Sequence, residues 1–188
     1  GFVREGYLAS HYKEGMTEVV FGLFPEGPIE VSKEMLIRPL QIGDDSSVEA
    51  IALAYLPRFY DEIDTRFVTN MIAAHRQAEG SYATKHKFIF VAEASSRIVG
   101  FVTGTPKRGG SVKLFPALGS SPSVEKALLT HAADYFQRAG KRKVYTFVPS
   151  TETIRLRMCL ELGFKTEEIL LEPYKPGVNE VGLGKLLV

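Results

Sequence analysis

The segment from Val112 to Gly140 constrains the fold of this chain more than any other, because it predicts a strand, a tight turn and a long helix in direct succession. Val112 to Leu118 is typical of a buried strand, and Ser121 followed by Pro122 is typical of a helix N-cap and first helical position. The first N–H groups of a helix have no partner within it, and the helix dipole is positive at that end. The turn therefore predicts an anion site of the kind that holds a phosphate or pyrophosphate.

A plain strand-to-helix connection with a capping serine explains the same residues. The turn from Gly119 to Ser123 contains a single glycine and is not a phosphate-loop motif. Apolar residues recur at helical spacing after the turn, which predicts that one face of the helix packs on a sheet. These residues are Val124, Ala127, Leu128, His131, Tyr135 and Phe136. On this face His131 is expected to be a core histidine and not a catalyst.

The composition argues against several classes of function. The 188 residues are 45% hydrophobic and 24% charged with a net charge of +1, so we expect one sizeable core and no nucleic-acid partner. No apolar run reaches the ~20 residues that span a bilayer, and no signal-peptide pattern opens the chain, which predicts a cytoplasmic protein without a membrane partner. The single cysteine excludes an internal disulfide, and the scattered histidines predict no metal site.

The two ends of the chain repeat one another. Aligned without a gap, residues 1–24 and 163–186 share 10 identities, and each contains two strand-like runs around a turn, the pattern of a β-hairpin. The identical residues in the first copy are Gly1, Phe2, Glu5, Leu8, Tyr12, Lys13, Gly15, Glu18, Val19 and Gly22. The repeat predicts that residues 1–24 are the closing hairpin of a preceding domain, that 25–34 form a Pro- and Gly-containing linker, and that 35–188 form a complete domain.

From Met35 onward, the patterns predict the element order β α α β β β α β α β β. This order predicts an α/β (α+β) fold: a mixed, mostly antiparallel twisted sheet covered by helices, with an extra N-terminal β-hairpin. Parallel pairing is expected where the long helix crosses over. Pro39 should restrict the first strand of the domain to an edge or terminus, and Gly163 should cap the last helix in a left-handed conformation.

Several short motifs in this order resemble the GNAT acetyltransferase superfamily. They are Val91-Ala92-Glu93, Arg97-Ile98-Val99-Gly100-Phe101, Lys126-Ala127-Leu128-Leu129 and Glu161-Leu162-Gly163-Phe164. The resemblance covers about Met35 to Val188, and residues 1–24 resemble the C-terminal hairpin of the same fold. The chain therefore resembles a fragment of a tandem GNAT protein.

The resemblance implies an N-acetyltransferase that moves an acetyl group directly from acetyl-CoA, its co-substrate, to a small-molecule or peptide amine. Such transfer depends on positioning and needs neither a metal nor a protein nucleophile. The strand would hold the acyl and pantetheine groups and the turn would hold the pyrophosphate. The implied cofactor-binding residues are Phe115, Ala117, Leu118, Gly119, Ser120, Ser121, Ser123 and Val124.

Two departures from the family pattern put activity in doubt. Counting back from Ala127, the family's basic or glutamine residue falls on Ser120 and its two motif glycines fall on Ser123 and Glu125. A carboxylate that faces a pyrophosphate costs on the order of 1 to 4 kcal/mol, although a register shift of one residue would remove the conflict. The family's tyrosine acid falls on Cys159, whose thiol could serve as an acid or could be a small buried hydrophobe.

Two further catalytic candidates are Glu93, which could reach an amine through water, and Tyr145, which could line the acceptor cleft; either could instead be structural. The alternative function is a catalytically degenerate GNAT-like domain with a structural, dimerisation or regulatory role beside an active first domain. Because an isolated hairpin is marginal in water, residues 1–24 should pair with a sheet edge of this chain or of a neighbour, and a homodimer is one such arrangement.

Overall fold

The computed structural model describes residues 2–9, 17–23, 35–77 and 86–187. The chain divides into two compact units, Gly1–Glu30 and Val31–Val188. The linker predicted at residues 25–34 lies outside the described residues. Each unit is described by itself below.

In the described residues the elements occur in the predicted order. The strands are β1 (Phe2–Ala9), β2 (Thr17–Leu23), β3 (Leu36–Pro39), β4 (Phe88–Ala94), β5 (Arg97–Pro106), β6 (Ser111–Gly119), β7 (Lys143–Pro149), β8 (Lys165–Leu170) and β9 (Glu180–Leu186). The helices are α1 (Asp45–Tyr55), α2 (Thr65–Arg76), α3 (Pro122–Arg138) and α4 (Thr153–Glu161). Within these same ranges no helix is long and apolar enough to cross a membrane.

The first unit contains the predicted hairpin. Strands β1 and β2 pair antiparallel, and their register shifts between Arg4 and Gly6. Strands β8 and β9 of the second unit also pair antiparallel, with a register shift between Thr166 and Glu168. The end-to-end sequence alignment places these two irregularities at the same position, so the two hairpins share both their pairing and their bulge.

The second unit is built on one sheet. Among the described residues its strand order is β3-β4-β5-β6-β7-β9-β8. Strands β6 and β7 pair parallel, and the other neighbours pair antiparallel. Helix α3 connects the parallel pair, as crossover connections require. The predicted mixed, mostly antiparallel fold is therefore confirmed, and Pro39 lies in the edge strand β3 as expected.

Strands β6 and β7 diverge after a short paired segment. Their parallel register covers Ser111–Lys113 and Lys143–Tyr145 only. Beyond it β6 continues to Gly119 along β5, and β7 continues to Pro149 along β9. The divergence opens a gap in the middle of the sheet, between Phe115–Leu118 and Thr146–Pro149.

The two faces of the sheet carry separate cores, because side chains alternate along each strand. One core joins the sheet to α3 and α4, and Val112, Leu114, Leu128 and Val144 are fully buried in it. The other core joins the sheet to α1 and α2. Its fully buried residues include Val48, Ala52, Ile89, Val91 and Phe101. The α1/α2 face is the one that carries the larger cavity described below.

The helix boundaries follow local capping chemistry. Helix α3 begins as predicted, with Ser121 as N-cap accepting from the N–H of Val124 and Pro122 as the first helical residue. Strand β7 ends at Pro149 and helix α4 begins at Thr153. Gly163 follows α4 with φ +85°, the left-handed conformation expected of a C-terminal cap.

Candidate functional site

The turn between β6 and α3, where the sequence predicts an anion site, is closed by its own contacts. The N–H of Gly119 donates to Glu125 Oε1 at 3.0 Å, and the N–H of Ser120 donates to the carbonyl of Val99 at 2.8 Å. The Ser121 hydroxyl accepts from the N–H of Val124 at 3.4 Å and lies 2.8 Å from the hydroxyl of Ser123. The N–H groups of Gly119, Ser120 and Val124 therefore already serve acceptors within the protein.

Glu125 lies in the first turn of α3, and its side chain points inward. The residue is 6% exposed. Arg155 of α4 donates to the Glu125 carboxylate through Nε at 2.7 Å and through Nη2. Burial alone would lower the pKa of Arg155, but the hydrogen bond and the charge of Glu125 raise this pKa above its ordinary value. The pair is therefore a buried, hydrogen-bonded ion pair that links α3 to α4.

Helix α1 joins the same ion pair through Tyr55. Arg155 donates to Tyr55 Oη through Nη1 at 2.6 Å, and its guanidinium carbon lies 4.4 Å from the centre of the Tyr55 ring. Tyr55 in turn donates to the carboxylate of Glu152. Burial and the acceptor Glu152 raise the pKa of the Tyr55 hydroxyl above its ordinary range. We call Tyr55, Glu125, Glu152 and Arg155 the clasp, because they tie three helices together.

The gap between β6 and β7 is largely filled. Its remaining cavity measures about 20 Å³, room for about one water molecule. Phe115 to Leu118 and Thr146 to Pro149 form its walls, with Tyr55, Glu125, Arg155, Met158 and Cys159 also lining it. A site that holds a drug-sized ligand measures about 300 to 1,000 Å³. We call this space the narrow cavity.

The residues of the turn and the narrow cavity do not fit acetyl-CoA. A pyrophosphate at the turn would meet the Glu125 carboxylate, which already accepts the Gly119 N–H. A Cβ added to Gly119 would lie 2.9 Å from Glu125 Cγ, so the side chain fills the space beside the turn. Within the strand, Pro116 has no N–H to offer a ligand. Glu125 at the turn and Pro116 in the strand therefore both oppose a cofactor at this place.

A second, larger cavity lies on the α1/α2 face of the sheet. It measures about 510 Å³, within the size range of small-molecule sites. Its walls come from β5, β6 and β9, from the segment between α1 and α2, and from the segment between β8 and β9. Its lining residues are Tyr60, Glu62, Ile63, Phe67, Lys87, Thr105, Lys107, Lys113, Phe115, Glu172, Pro173, Tyr174, Lys175, Pro176 and Glu180. We call it the open cavity.

Glu180 and Tyr60 form a buried polar pair in the wall of the open cavity. Glu180 is 2% exposed, and Tyr60 Oη donates to its Oε1 at 2.5 Å. Burial raises the pKa of Glu180, although the Tyr60 hydrogen bond and the Lys113 charge oppose the shift. Tyr60 and Phe115 line both cavities, so the hydrogen-bond partner of Glu180 is a wall residue of each.

The three predicted catalytic residues do not come together. Cys159 lines the narrow cavity but is 1% exposed, and burial raises the pKa of its thiol to about 12, which makes it a poor proton donor. Glu93, on β4, binds Arg38 at 2.8 Å and lines neither cavity. Tyr145 is half-buried on β7 with its ring 6.0 Å from that of Phe147, and it also lines neither cavity.

The predicted cofactor residues do lie together, around the gap and its turn. Phe115, Ala117 and Leu118 line the narrow cavity, and Gly119 to Val124 follow as the turn and helix start. Sequence reasoning missed Arg155, Tyr60 and Glu180. For Glu180 one signal was available, because it is one of the identities between the two hairpins, where it matches Glu18.

Comparison with known proteins gives a match through structure and not through sequence. No protein-family model matches the sequence, and no curated protein sequence matches it either. Solved structures do match. An acetyltransferase assigned to the GNAT family from Desulfovibrio desulfuricans aligns over 82% of this chain and 99% of its own, with a TM-score of 0.67 and 15% identity.

Other matches carry acetyltransferase names. The ribosomal-protein-alanine N-acetyltransferase of Brucella melitensis aligns over 81% of this chain and 99% of its own, with a TM-score of 0.68 and 14% identity. The aminoglycoside 6'-N-acetyltransferase of Enterococcus faecium aligns over 81% and 97%, with a TM-score of 0.62 and 13% identity. At these identities the likeness concerns the fold. The chain has the fold of the GNAT acetyltransferase superfamily.

Proposed function

We propose that residues 35–188 form a catalytically degenerate GNAT-fold domain that has lost the acetyl-CoA site and binds a small molecule in the open cavity. In this function the domain would act as a binding or regulatory module. The observation that carries the proposal is the position of the Glu125 carboxylate, which is buried at the start of α3 and bound by both Gly119 and Arg155.

The charge of Glu125 opposes an anionic cofactor. An unpaired carboxylate about 4 Å from a phosphate repels it by about 4 kcal/mol at an effective dielectric constant of 20, roughly a thousandfold in affinity, and the Arg155 cation offsets part of this repulsion. Moving Glu125 aside would not relieve the conflict. The Arg155 side chain is only 14% exposed, and it would then be a nearly buried cation that has lost its partner. Tyr55, Glu125 and Arg155 of the clasp also line the narrow cavity beside the strand segment Phe115–Leu118.

The open cavity supports a binding role. It retains about 510 Å³ while the narrow cavity retains about 20 Å³, so the space for a ligand lies on the α1/α2 face of the sheet. Aromatic rings line it, with Tyr60 5.3 Å from Phe115 and 5.6 Å from Tyr174 between ring centres. An apolar wall with a few buried polar groups is typical of small-molecule sites.

Calorimetric titration with CoA and acetyl-CoA tests the proposal. We expect no binding to the wild-type protein at about 2 mM cofactor. Glu125→Gln removes the repelling charge and leaves the Arg155 cation, so this variant should bind CoA more tightly than the wild type. Glu161→Gln is the matched control, because Glu161 is an exposed glutamate on α4. Micromolar binding of acetyl-CoA to the wild-type protein would overturn the proposal.

One observation favours a second candidate, the N-acetyltransferase that the resemblance implies. Glu180 lines the open cavity and bonds to Tyr60, which also lines the narrow cavity, and its pKa is raised, as a general base for an amine requires. In that case the amine would occupy the open cavity, acetyl-CoA the narrow cavity, and the clasp would have to open. Acetyl-CoA binding together with CoA release in the presence of an amine would favour this candidate.

The shared register of the two hairpins supports the interpretation of residues 1–24 as the closing hairpin of a preceding GNAT-like domain. Pairing of this hairpin with a sheet edge, a homodimer and a cytoplasmic location all stay predictions. Light scattering over a tenfold range of protein concentration would test the homodimer. Amide hydrogen exchange can be compared between β1 and β2 in the full chain and an isolated peptide of residues 1–24. Slower exchange in the full chain would support pairing of the hairpin with a sheet edge.

A further inference from the structure

The end of the sheet farthest from the β6–α3 turn carries a cluster of cations. Arg108 lies between β5 and β6, and Arg138 is the last residue of α3. Lys141 and Arg142 lie between α3 and β7, and Lys185 is near the end of β9. We call these five residues the basic end. The nine residues of β6 separate it from the turn by roughly 26 Å, at about 3.3 Å per residue step.

Hydrogen bonds hold the segments of the basic end against one another. The N–H of Arg142 donates to the carbonyl of Gly110 at 2.8 Å, and Nη2 of Arg142 donates to the carbonyl of Gly109 at 2.5 Å. The N–H of Leu187 donates to the carbonyl of Arg142 at 2.9 Å. The β5–β6 connection, the residues before β7 and the end of β9 therefore form one continuous surface.

The positive charge of this surface is not neutralised by neighbouring carboxylates. In the part of the chain that the structure describes, none of the five side chains forms an ion pair. Glu167 of β8 binds Nζ of Lys143 at 2.6 Å. Asp134 precedes Arg138 by one turn of α3 and is exposed. The basic end therefore keeps an excess of positive charge even when Asp134 is counted.

An exposed leucine adjoins these cations. Leu186 is 69% exposed and lies opposite Lys143 in the β7–β9 register. It follows Lys185 in β9 and precedes Leu187, whose N–H binds Arg142. Protein interfaces typically combine an apolar anchor with polar and charged groups around it. A matching partner surface has acidic residues around an apolar one.

We propose that the basic end binds an acidic segment of a partner protein, with an apolar residue of that segment on Leu186. Three strand spacings of about 4.8 Å separate β5 from β9, so the surface is roughly 14 Å wide and accommodates about four extended residues. Lysine and arginine form charge-assisted hydrogen bonds with carboxylates. This interaction goes beyond the proposed function, because it uses neither the open cavity nor the turn.

The charge of the remaining chain favours a peptide over a nucleic acid. Outside the basic end, the sequence contains four more carboxylate residues than lysines and arginines. A nucleic-acid duplex is stiff over about 50 nm, so it would extend beyond a surface of this size and bring its phosphates near a negatively charged remainder. A short acidic peptide can stay within the basic end.

Fluorescence anisotropy with labelled peptides tests the inference on the full chain. One probe has three glutamates on each side of a leucine, and the matched probe has glutamines in place of the glutamates. At about 0.1 M salt we expect the glutamate probe to bind at least about tenfold more tightly. This preference should disappear at about 1 M salt, where the Debye length is about 3 Å.

Two results of this titration would overturn the inference. One is equal affinity for the glutamate and glutamine probes at low salt. The other is tighter binding of a DNA or RNA duplex of about 12 base pairs than of the glutamate probe, which would assign the surface to a nucleic acid.

Paired variants assign the binding to the basic end. Arg108→Gln/Arg138→Gln should weaken the glutamate probe at least about fivefold, because two cations are removed. Arg66→Gln/Arg97→Gln is the matched control and should leave binding unchanged, because Arg66 on α2 and Arg97 at the start of β5 are exposed but lie outside the basic end. All four arginines are exposed, so both variants should unfold in urea as the wild type does. An equal loss of binding in both variants would overturn the inference, because binding would then follow net charge alone.

Leu186→Ser tests the apolar contact. It should weaken the probe with leucine at least about threefold and leave unchanged a glutamate probe in which serine replaces the leucine. The same effect on both probes would overturn this part of the inference. The CoA titration is independent of these results, so failure here and failure of the proposed function can be told apart.

Discussion

Arg155 of α4 reaches across the gap in the sheet and holds the carboxylate of Glu125 in the first turn of α3, with its Nε 2.7 Å from Oε2. The side chains are 14% and 8% exposed, respectively. A helix N-terminus attracts anions, and here the anion is a side chain of the same helix. The Glu125 carboxylate therefore lies at the helix start where the sequence predicts a pyrophosphate.

Arg155→Met should destabilise the protein by about 3 to 5 kcal/mol, because it leaves the Glu125 carboxylate buried without its cation. The free energy of unfolding in urea measures this. Arg157→Met is the matched control on the same helix. Arg157 pairs with the exposed Glu161 at 2.9 Å, and its loss should cost less than about 1 kcal/mol.

The double variant Glu125→Gln/Arg155→Met should be more stable than Arg155→Met alone, because removing both charges removes the uncompensated one. Equal or greater destabilisation in the double variant would mean that the two residues act separately and that the clasp is not an energetic unit.

Glu180 should make stability fall with rising pH. Burial raises its pKa in the folded state above the ordinary value of about 4.3. Between that value and the folded pKa, the native state binds more protons than the unfolded state, so the free energy of unfolding decreases as pH rises. Glu180→Gln should flatten this part of the profile and keep an acceptor for Tyr60. Urea unfolding of the wild-type protein and of Glu180→Gln from pH 4.5 to 8 measures this dependence. If the difference in free energy of unfolding between the two proteins stays constant with pH, the raised pKa of Glu180 is refuted.

Cys159 should resist alkylation in the native protein. Its thiol is 1% exposed, and a pKa of about 12 leaves very little thiolate at pH 8. We expect iodoacetamide to leave the native protein unmodified over an hour, whereas the same protein in concentrated guanidinium should be modified fully. Mass spectrometry measures both. Rapid labelling of the native state would show that the thiol is accessible and would restore it as a candidate acid.

Gly104→Ala should destabilise the domain, because its Cβ would lie 2.3 Å from Cε2 of the Phe136 ring and 2.4 Å from Cζ. Overpacking of a core typically costs about 1 to 3 kcal/mol. Phe136→Leu should relieve the clash, so the double variant should lose less stability than the sum of the two single variants. Additive losses in urea unfolding would contradict the close contact between β5 and α3.

Local patterns were sufficient for most of the fold. Period-2 and period-3.6 alternation identified the strands and helices in their order, Pro39 identified the edge strand, and the repeat identified both hairpins. The site was harder. The sequence showed that Glu125 conflicts with a bound pyrophosphate, but it did not show that the carboxylate binds Arg155. Glu180 was noted as part of a repeat and not as a buried acid, because its partner Tyr60 is 120 positions away.

The sequence by itself determined the secondary structure, the parallel pair around α3 and the likeness of the two chain ends, because these depend on residue spacing and on turn and capping chemistry within a few positions. The tertiary structure alone decided that the gap between β6 and β7 is filled, that Glu125 meets Arg155 and that Glu180 lies in the wall of a large cavity. Those features depend on which distant side chains meet and how far water is excluded from them. No local period encodes that information, whereas burial and electrostatics make it decisive for ligand binding.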